Sequence, residues 1–294
     1  MSSAHQLPLG DPAEFCQRWR YRRHSWLRRR EGGFDQSSYQ ARMLDHDVAR
    51  RFVAEHHYSR SWPAVRLAVG LYATDPRAGR EGLVGVLALG VPMHPAVLTG
   101  PFPNLVPYRE SLELSRLVLL DQVPANGESW FVAHAFRLAA QRGIRGIVAH
   151  SDPQPRVRQT PNGPEDLHPG HVGTTYQASS MDYLGRTRRR RLTVLPDATV
   201  LPDRAQSKIR ADEAGHLGAE RRLVAFGARP RRTDEDGARW LAEALEQVGA
   251  TVLDHHGNHR YARYIGPTRR HGRSHSIAVT AYPFPKKNEP GGSR

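Results

Sequence analysis

A strand, a helix and a second strand follow one another between residues 112 and 150, and this succession most constrains how the chain can fold. Six of the nine residues over 112–120 are apolar, which predicts a buried strand. Asn126 can cap a helix with an apolar stripe that includes Phe131 and Ala135, and Gly143 suits the helix end. Residues 144–150 form a second apolar run. Two strands joined by a helix pair in parallel, so the sequence predicts a βαβ unit.

The rest of the pattern adds strands and helices around this unit. Turn residues 75–79 separate two apolar runs, which favours a hairpin. Residues 152–173 are rich in proline, glycine and aspartate and predict a long functional or disordered loop. The other predicted elements are helices over residues 44–56, 176–183 and 238–248, strands over 65–72, 83–90 and 192–195, an irregular loop over 92–107, and ordered segments over 261–265 and 276–282.

The chain carries a large excess of positive charge. It has 43 Lys and Arg against 29 Asp and Glu, a formal net charge of +14. Such a surplus favours a polyanionic partner, and the arginine fork suits phosphate. The alternative is a solvated surface of a protein from a high-GC genome, in which arginine codons are frequent. Clustering of the basic residues favours a nucleic-acid partner. The basic residues predicted to bind DNA are Arg186, Arg188, Arg189, Arg190, Arg191, Lys208, Arg210, Arg260, Arg263, Arg269 and Arg270.

The charge pattern and the predicted elements suggest three segments. Residues 1–40 read as a basic N-terminal arm, disordered or formed by an arginine-rich helix. Residues 41–285 read as one catalytic domain, with a helical and stranded elaboration over residues 215–260. Residues 286–294 read as a tail.

Cysteine content and hydropathy restrict the cellular compartment expected of the protein. Cys16 is the only cysteine, so the chain can form neither an internal disulfide nor a cysteine-based zinc site. No apolar run is long enough to span a membrane, and the first residues lack a signal-peptide layout. The sequence therefore favours the cytoplasm, without a membrane partner, and leaves the oligomeric state open, a homodimer included.

Several common motifs are missing from the sequence. No Gly-x-Gly-x-x-Gly follows a predicted strand, so a dinucleotide or S-adenosylmethionine fold has no support. There is no Walker A loop, and the His-x-Glu with Pro-Cys-x-x-Cys pattern of zinc deaminases does not occur.

A series of short motifs, in a fixed order, resembles the Mom family of bacteriophage DNA-modification proteins, over about residues 45–285. Their order and spacing carry the resemblance, since each motif alone is uninformative. The motifs are His57-Tyr-Ser before Trp62-Pro, Glu113-Leu-Ser-Arg-Leu, Pro124-Ala-Asn-Gly-Glu-Ser, Ala149-His-Ser-Asp, Gly170-His-Val-Gly-Thr-Thr-Tyr-Gln-Ala, Asp182-Tyr-Leu-Gly-Arg-Thr, Asn258-His-Arg-Tyr and Tyr282-Pro-Phe-Pro-Lys.

The resemblance implies a fold, an activity and a site. The fold would be α/β and acetyltransferase-like (GNAT-like), a mixed, mostly antiparallel twisted sheet with a splayed central strand pair and flanking helices. The activity would be addition of a carbamoylmethyl group to the exocyclic N6 of adenine in double-stranded phage DNA, which protects it from host restriction. The active-site positions implied by matching motifs are His57, Tyr58, Ser115, Arg116, Asp152 and Tyr176.

Cofactors follow from the same resemblance. In acetyltransferase-like folds the helix after the splayed strand receives the phosphates of an acyl carrier. Here that position is Asn126, Gly127, Glu128 and Ser129, where a glycine-rich loop is lacking and Glu128 opposes a phosphate. The donor stays open between acetyl-CoA, an aminoacyl-tRNA and another metabolite. The resemblance also implies a candidate iron site at His57, Tyr58 and Asp152.

The chemistry expected of these residue types is proton transfer to and from a weak nucleophile. The N6 lone pair is delocalised into the purine, so Asp152 or His57 would accept its proton, and the base must first leave the duplex stack. Tyr176 would donate a proton or hold an oxyanion, and Arg116 would neutralise charge. Two other functions remain open: an acyl- or aminoacyl-transferase acting on a protein or small-molecule amine, and a DNA-binding protein without catalysis.

Overall fold

The computed structural model describes residues 15–20, 23–28, 34–59, 61–74, 80–160, 163–168, 170–268 and 276–285. The chain divides into two compact units. The first unit comprises Met1–Pro153, Pro169–Thr187 and Asn258–Arg294, and the second comprises Gln154–His168 and Arg188–Gly257. The elaboration predicted over residues 215–260 thus belongs mainly to a second unit that begins earlier than expected.

The described residues form strands and helices in the following order along the chain. The strands are β1 (Phe15–Arg20), β2 (Arg23–Arg28), β3 (Tyr39–Met43), β4 (Val65–Thr74), β5 (Glu81–Gly90), β6 (Ser111–Leu119), β7 (Gly146–Ser151), β8 (Arg156–Thr160), β9 (Gly163–His168), β10 (Asp182–Arg186), β11 (Arg190–Val194), β12 (Val200–Leu201), β13 (Thr251–His255) and β14 (His259–Tyr264). The helices are α1 (His46–His56), α2 (Ala96–Thr99), α3 (Gly127–Gln141), α4 (Thr174–Ala178), α5 (Asp203–Arg210), α6 (His216–Ala225) and α7 (Gly237–Gln247), with a 3-10 turn at Gln36–Ser38.

The first unit is built on a seven-stranded sheet in the order β10-β14-β7-β6-β5-β4-β3. Neighbouring strands are antiparallel except β6 and β7, which are parallel. Helix α3 joins these two strands and supplies the predicted βαβ unit. The predicted mixed, mostly antiparallel sheet with flanking helices is therefore confirmed.

Helices cover both faces of this sheet because its strands are apolar on both sides. On one face, Phe131 and Ala135 of α3 pack against Leu87, Leu112 and Ile147. On the other face, α1 packs through a second apolar cluster, formed by Ala49, Phe52, Val53, Ala68 and Val86. Strands buried in this way read as nearly continuous apolar runs, which is why β5 was evident from the sequence.

Strands β6 and β7 pair only over Ser111–Leu114 and Gly146–Ala149, and the parallel pairing then ends. A β-bulge lies at the same level, because Leu114 pairs with Leu89 and Arg116 pairs with Ala88, which leaves Ser115 as the extra residue. Gly90 accommodates the bulge: a Cβ there would lie 2.6 Å from Ser115 Oγ. The sheet thus opens between β6 and β7 beyond Leu114, as expected of the splayed pair.

The second unit contains a three-stranded antiparallel sheet, β12-β11-β13, with helices α5, α6 and α7, and the separate hairpin β8–β9. Its core centres on Trp240 and Leu241 of α7, which pack with Ile209 of α5 and Leu223 of α6. None of the helices in the described residues is long and apolar enough to cross a bilayer.

Four predicted segments differ from the structure. Residues 152–173 contain the β8–β9 hairpin instead of a structureless loop. The helix predicted over 176–183 is only Thr174–Ala178, because Ser180 adopts a left-handed conformation (φ 55°) and β10 begins two residues later. In the N-terminal arm β1 and β2 form a hairpin, so the arginine-rich helix is wrong. Residues 276–285 contribute a single bridge, at Tyr282, and the tail over 286–294 lies outside the described residues.

Candidate active site

Polar side chains from both faces of the first unit's sheet converge where β6 and β7 part. Leu112 and Leu114 point into the core beside α3, so Glu113 between them lies on the opposite face. Arg116 pairs with Ala88 and follows the bulge at Ser115. Tyr176 belongs to α4 and packs in the α3-side core. An opened strand pair thus brings together groups that a continuous sheet would separate.

Glu113 and His150 form a charged hydrogen bond across the parting strands. His150 Nδ1 lies 2.8 Å from Glu113 Oε1, and the two side chains are 17% and 23% exposed. Bonds between an imidazole and a carboxylate are stronger than neutral ones and fix the orientation of the ring. This pair holds a carboxylate at the mouth of the opening, although sequence reasoning selected neither residue. The signal was available, since both lie within the motifs at 113–117 and 149–152.

Arg116 is held by oxygen acceptors on the chain after α1. Its Nε donates to the Ser61 carbonyl at 2.9 Å, and its Nη2 donates to Ser61 Oγ at 2.7 Å. Desolvation lowers the pKa of Arg116, while the nearby Tyr58, Glu113 and Tyr176 act in the opposite direction. The guanidinium therefore remains a cation, fixed near the side-chain oxygens of Tyr58, Glu113 and Tyr176.

His57 and Tyr58 follow the C-terminus of α1 and pack ring against ring, with centroids 4.3 Å apart. The Ser59 backbone N–H donates to His57 Nδ1 at 3.1 Å, and Ser59 Oγ lies 2.9 Å from the same nitrogen. Because a backbone N–H can only donate, His57 Nδ1 must carry a lone pair. A neutral His57 therefore bears its proton on Nε2 and is a hydrogen-bond donor at that atom.

Tyr176 is placed by a tight turn at the start of α4. Gly173 precedes the helix with φ +79°, and a Cβ there would lie 2.6 Å from the Tyr261 ring and 3.0 Å from Ser151 Oγ, so glycine is required. The Tyr176 hydroxyl donates to the His150 carbonyl at 3.4 Å. Burial raises the pKa of Tyr176, with further contributions from Tyr58 and Glu113. Tyr176 therefore stays protonated and suits hydrogen-bond donation to negative charge.

A buried aromatic layer supports Tyr176 from behind. Ring centroids of Tyr176 and Tyr261 are 5.4 Å apart, those of Tyr261 and Tyr183 are 5.3 Å apart, and the Tyr183 hydroxyl lies 2.8 Å from His259 Nδ1. The Tyr261 hydroxyl donates to the Val172 carbonyl, and burial raises the pKa of Tyr261 to about 12. This layer fixes the chain on either side of Gly173.

His259 is the titratable group at the end of this layer. It is 1% exposed, and burial lowers its pKa to about 4, helped by nearby positive charge from Arg186 and His171. Its cross-strand partner in the β7–β14 pairing is Ser151, whose side chain is also buried. His259 is therefore neutral at physiological pH.

The other predicted catalytic positions lie near this centre with different partners. Asp152 follows β7, and its carbonyl accepts the His171 N–H at 2.9 Å. Burial lowers the pKa of His171, and the charge of Asp152 acts in the opposite direction. Ser115 Oγ donates to the Glu113 carbonyl at 3.2 Å, within its own strand. The structure thus places Tyr58, Arg116 and Tyr176 in one electrostatic cluster and adds Glu113 and His150 to it.

The candidate iron site finds no support. The described residues contain no cluster of three or more His, Cys, Asp or Glu side chains able to hold a metal ion. His57 Nδ1 is already occupied by Ser59, which removes one of the proposed donors.

The turn before α3 does not fit the diphosphate of an acyl carrier. Pro124 has no N–H, and the N–H groups of Val123 and Gly127 donate to carbonyls within the turn. Gly127 faces side chains instead of an open cradle, since a Cβ there would lie 2.3 Å from Val123 Cγ1. Ser129 Oγ donates to the Asn126 carbonyl, and Glu128 adds negative charge in the first helical turn. No step through coenzyme A follows from this arrangement.

The residues predicted to bind DNA fall into three groups. In the first unit, Arg186 is exposed, whereas Arg260 and Arg263 are half-buried and donate to the carbonyls of Leu184 and Ser179. In the second unit, Arg188–Arg191 are all exposed, and none forms an ion pair with another described residue. Lys208 and Arg210 lie on α5, where Arg210 donates to Gln206. Arg269 and Arg270 lie outside the described residues.

A seven-stranded sheet with one opened parallel pair and a polar cluster in the opening defines a mixed α/β protein with a candidate active site in the first unit. The family model described as the Mom protein family matches residues 38–286. The chain belongs to this family.

Comparison with solved structures found proteins of the GNAT class. One is a tandem GNAT protein from the clavulanic acid biosynthesis pathway, solved without AcCoA, with 13% identity and a TM-score of 0.33 over 79% of this chain and 75% of that chain. Another is a GNAT superfamily phosphinothricin acetyltransferase from Sinorhizobium meliloti in complex with AcCoA, with 11% identity and a TM-score of 0.35 over 86% of this chain and 100% of that chain. Similarity at this level carries no information about activity. No match was found among proteins of curated function.

Proposed function

We propose that the protein is a DNA-modifying transferase that adds a small, carbamoylmethyl-type group to the exocyclic N6 of adenine in double-stranded DNA. The observation that carries this proposal is the cluster of Tyr58, Glu113, Arg116 and Tyr176 at the opened strand pair, in a chain of the Mom family. Modified adenine would protect DNA from restriction enzymes that read this base.

The N6 amine needs a proton acceptor, and two carboxylates are available for that role. Glu113 is oriented by His150 and lies among the cluster residues, while Asp152 lies one residue beyond β7. We assign the role of proton acceptor to Glu113. Its partner His150 fixes the direction of the carboxylate, and the charge of Glu113 acts on both Arg116 and Tyr176. Asp152 is the second candidate.

Negative charge on the transferred group or its leaving group needs a donor and a cation. Tyr176 holds its proton because of burial, so it can donate a hydrogen bond to this charge. Arg116 lies close enough to influence Tyr176 and supplies a fixed positive charge. His57, protonated at Nε2, adds a second donor instead of the base expected from its residue type.

One base must leave the stack of the duplex before this chemistry can occur. Flipping a base out of the stack costs a few kcal/mol, which contacts with phosphates and aromatic rings offset. Trp62 lies next to the Arg116-binding Ser61 and is half-buried against the α1 cluster, and we assign its ring to stacking on the displaced base. The exposed arginines Arg186 and Arg188–Arg191 supply phosphate contacts.

Mass spectrometry of nucleosides from digested DNA tests the proposal. DNA from cells that express the protein should contain an adenosine heavier than the ordinary one, whereas DNA from cells that express Tyr176→Phe should not. Glu113→Gln and Asp152→Asn should separate the two candidate proton acceptors, since only the true acceptor reduces modification by about 100-fold or more.

The control is DNA binding by the same variants. Each variant should bind a duplex with wild-type affinity, because none of the three residues belongs to the exposed basic set. Only ordinary nucleosides, despite a soluble and folded wild-type protein in its native host, would refute the proposed activity. Labelled transfer to a peptide or a small amine instead of DNA would point to a different acceptor for the same site.

A further inference from the structure

The second unit carries a cavity between α5 and α6 that the proposed activity does not use. It has a volume of about 420 Å³ and lies beside the turn that joins the two helices. Leu201, Pro202 and Ala205 supply apolar walls, and Arg204, Lys208 and Arg222 supply three positive charges. A cavity of this size admits a small organic anion.

The three cations differ in how they are held. Arg204 forms a two-pronged ion pair with Glu213, and Arg222 donates to Thr199 Oγ1 and to the Val200 carbonyl. The Lys208 ammonium forms neither an ion pair nor a hydrogen bond with any described residue, and its Nζ would lie 3.3 Å from a Cβ at Gly215. Since Glu213 offsets only one positive charge, the cavity keeps a net positive charge, with Lys208 as the cation ready for a ligand.

We propose that this cavity binds a sugar-phosphate segment of the nucleic-acid backbone, with Lys208 contacting the phosphate. The inference rests on the proposed function, because it takes DNA as the substrate and assigns part of its binding to a defined place on the second unit. In this arrangement, Arg204 and Arg222 form fixed walls of the cavity, and Lys208 is the side chain that contacts the phosphate.

The chemistry of the walls favours a backbone segment over a free anion. Phosphate alone would need polar groups on all sides, whereas here the apolar side chains face the same space as the cations. A sugar carries carbon atoms on one side of each phosphate, so it matches apolar walls next to positive charges. Phosphate contacts of this kind position a duplex without reading its sequence.

Two variants change the cavity in different ways. Lys208→Met removes the charge and keeps the length of the side chain. Gly218 also lines the cavity, and a Cβ at this position would have no atom within 4 Å. Gly218→Glu therefore places a carboxylate in the cavity without a clash, and Gly218→Ala is its matched control, which helix propensity should favour.

The experiment measures the affinity of the full-length protein for a short duplex at salt concentrations from about 0.05 to 0.2 M, with the logarithm of the affinity plotted against that of salt. Lys208→Met should reduce the slope by about one and weaken binding several-fold, and Gly218→Glu should weaken it further. Gly218→Ala should bind as the wild type does. Arg239→Met, which removes a charge on α7 outside the cavity, should also have no effect.

Three outcomes decide the inference. Wild-type slopes for both Lys208→Met and Gly218→Glu, with unchanged thermal unfolding, would overturn it even if adenine modification is observed. Inorganic phosphate that binds the wild type but not Lys208→Met, together with unchanged duplex affinity, would also overturn it in favour of a free-anion site. Reduced slopes in a protein that never modifies adenine would support the inference and refute the proposed function instead.

Discussion

The two units of the molecule use charge in opposite ways. In the first unit, Arg116 is desolvated and surrounded by Tyr58, Glu113 and Tyr176, and Tyr176 is 8% exposed. In the second unit, Arg229 and Arg231 are matched by carboxylates, as where Arg229 lowers the pKa of Glu235 to about 2, while Arg188–Arg191 are exposed and form no ion pair with another described residue. Desolvated groups interact strongly and are suited to chemistry, while solvated groups contribute mainly long-range attraction.

This difference separates two kinds of mutational effect. Changes in the first unit's cluster should alter the rate of modification at saturating DNA, because the groups face the reacting atoms. Changes to exposed cations in the second unit should alter affinity and its salt dependence, because phosphate contacts are made before the chemistry. A first-unit variant that changes only affinity, or a second-unit variant that changes only the rate at saturating DNA, would contradict this distinction.

The largest expected effect is that of Tyr176→Phe. Removal of one hydroxyl should reduce the rate of adenine modification by about 10²- to 10³-fold, because a positioned hydrogen-bond donor to developing negative charge contributes that much. The ring and its contact with Tyr261 remain, so the fold should be unchanged. Nucleoside mass spectrometry over a time course measures the rate.

Tyr264→Phe is the matched control, because Tyr264 is a buried tyrosine of the same sheet that packs in a different cluster, with Phe102. It should modify DNA at the wild-type rate. Equal losses in both variants would mean that Tyr176 acts only through packing.

Trp240→Ala should destabilise the second unit by about 3–5 kcal/mol, because Trp240 is fully buried at the centre of that unit's core. Hydrogen exchange should show lost protection in α5, α6 and α7, while β4 and β5 of the first unit stay protected. Trp240→Phe keeps a ring but loses the hydrogen bond to the Arg229 carbonyl, so it should lose less, about 1–2 kcal/mol. Equal loss of protection in both units after Trp240→Ala would show that they unfold as one.

The sequence predicts the first unit better than the second for a physical reason. The βαβ unit consists of buried strands and a helix that buries seven residues, so its apolar content is high and easily read from the sequence. Helices α5 and α6 are polar and bury few residues, Gln206 and Ile209 in α5 and Glu220 and Leu223 in α6. Apolar spacing therefore did not reveal them.

The site shows the same limit of sequence reasoning. Tyr58, Arg116 and Tyr176 came from motif resemblance, and the structure brings them together. The Glu113–His150 bond joins residues 37 positions apart and depends on the register of a parallel pair, which the sequence does not encode locally. Net charge likewise could not tell that Arg229 and Arg231 are matched by carboxylates while Arg188–Arg191 are not.

The stability of the first unit should depend on pH through the buried His259. The pKa of His259 is about 4 in the folded protein and about 6.5 when unfolded, so the unfolded chain binds more protons between these values. Stability should therefore fall as pH decreases through this window. The contribution of His259 should be about 2 kcal/mol by pH 4.5.

Denaturant unfolding at neutral and acidic pH, compared between wild type and His259→Gln, measures this contribution. The variant should lose less stability on acidification, because glutamine does not titrate. Parallel losses in the two proteins would show that His259 is protonated in the folded state as readily as in the unfolded one.

The smallest expected effect belongs to the exposed arginines of the second unit. Arg189→Ala and Arg190→Ala should each reduce the salt-dependence slope of duplex binding by about one, with a several-fold loss of affinity near 0.1 M salt. The rate of modification at saturating DNA should stay at the wild-type value, because neither residue belongs to the cluster at the opened strands. Fluorescence anisotropy at several salt concentrations, together with nucleoside analysis, measures both quantities.

Arg239→Ala supplies the comparison within the same unit, because Arg239 is exposed but paired with Glu243. Loss of this arginine should leave the slope unchanged, since a cation already matched by a carboxylate releases fewer counterions when it meets a phosphate. Equal slopes for Arg189→Ala and Arg239→Ala would mean that binding depends on total charge alone. Unequal slopes, with equal rates at saturation, would assign phosphate binding to particular side chains and leave the chemistry to the first unit.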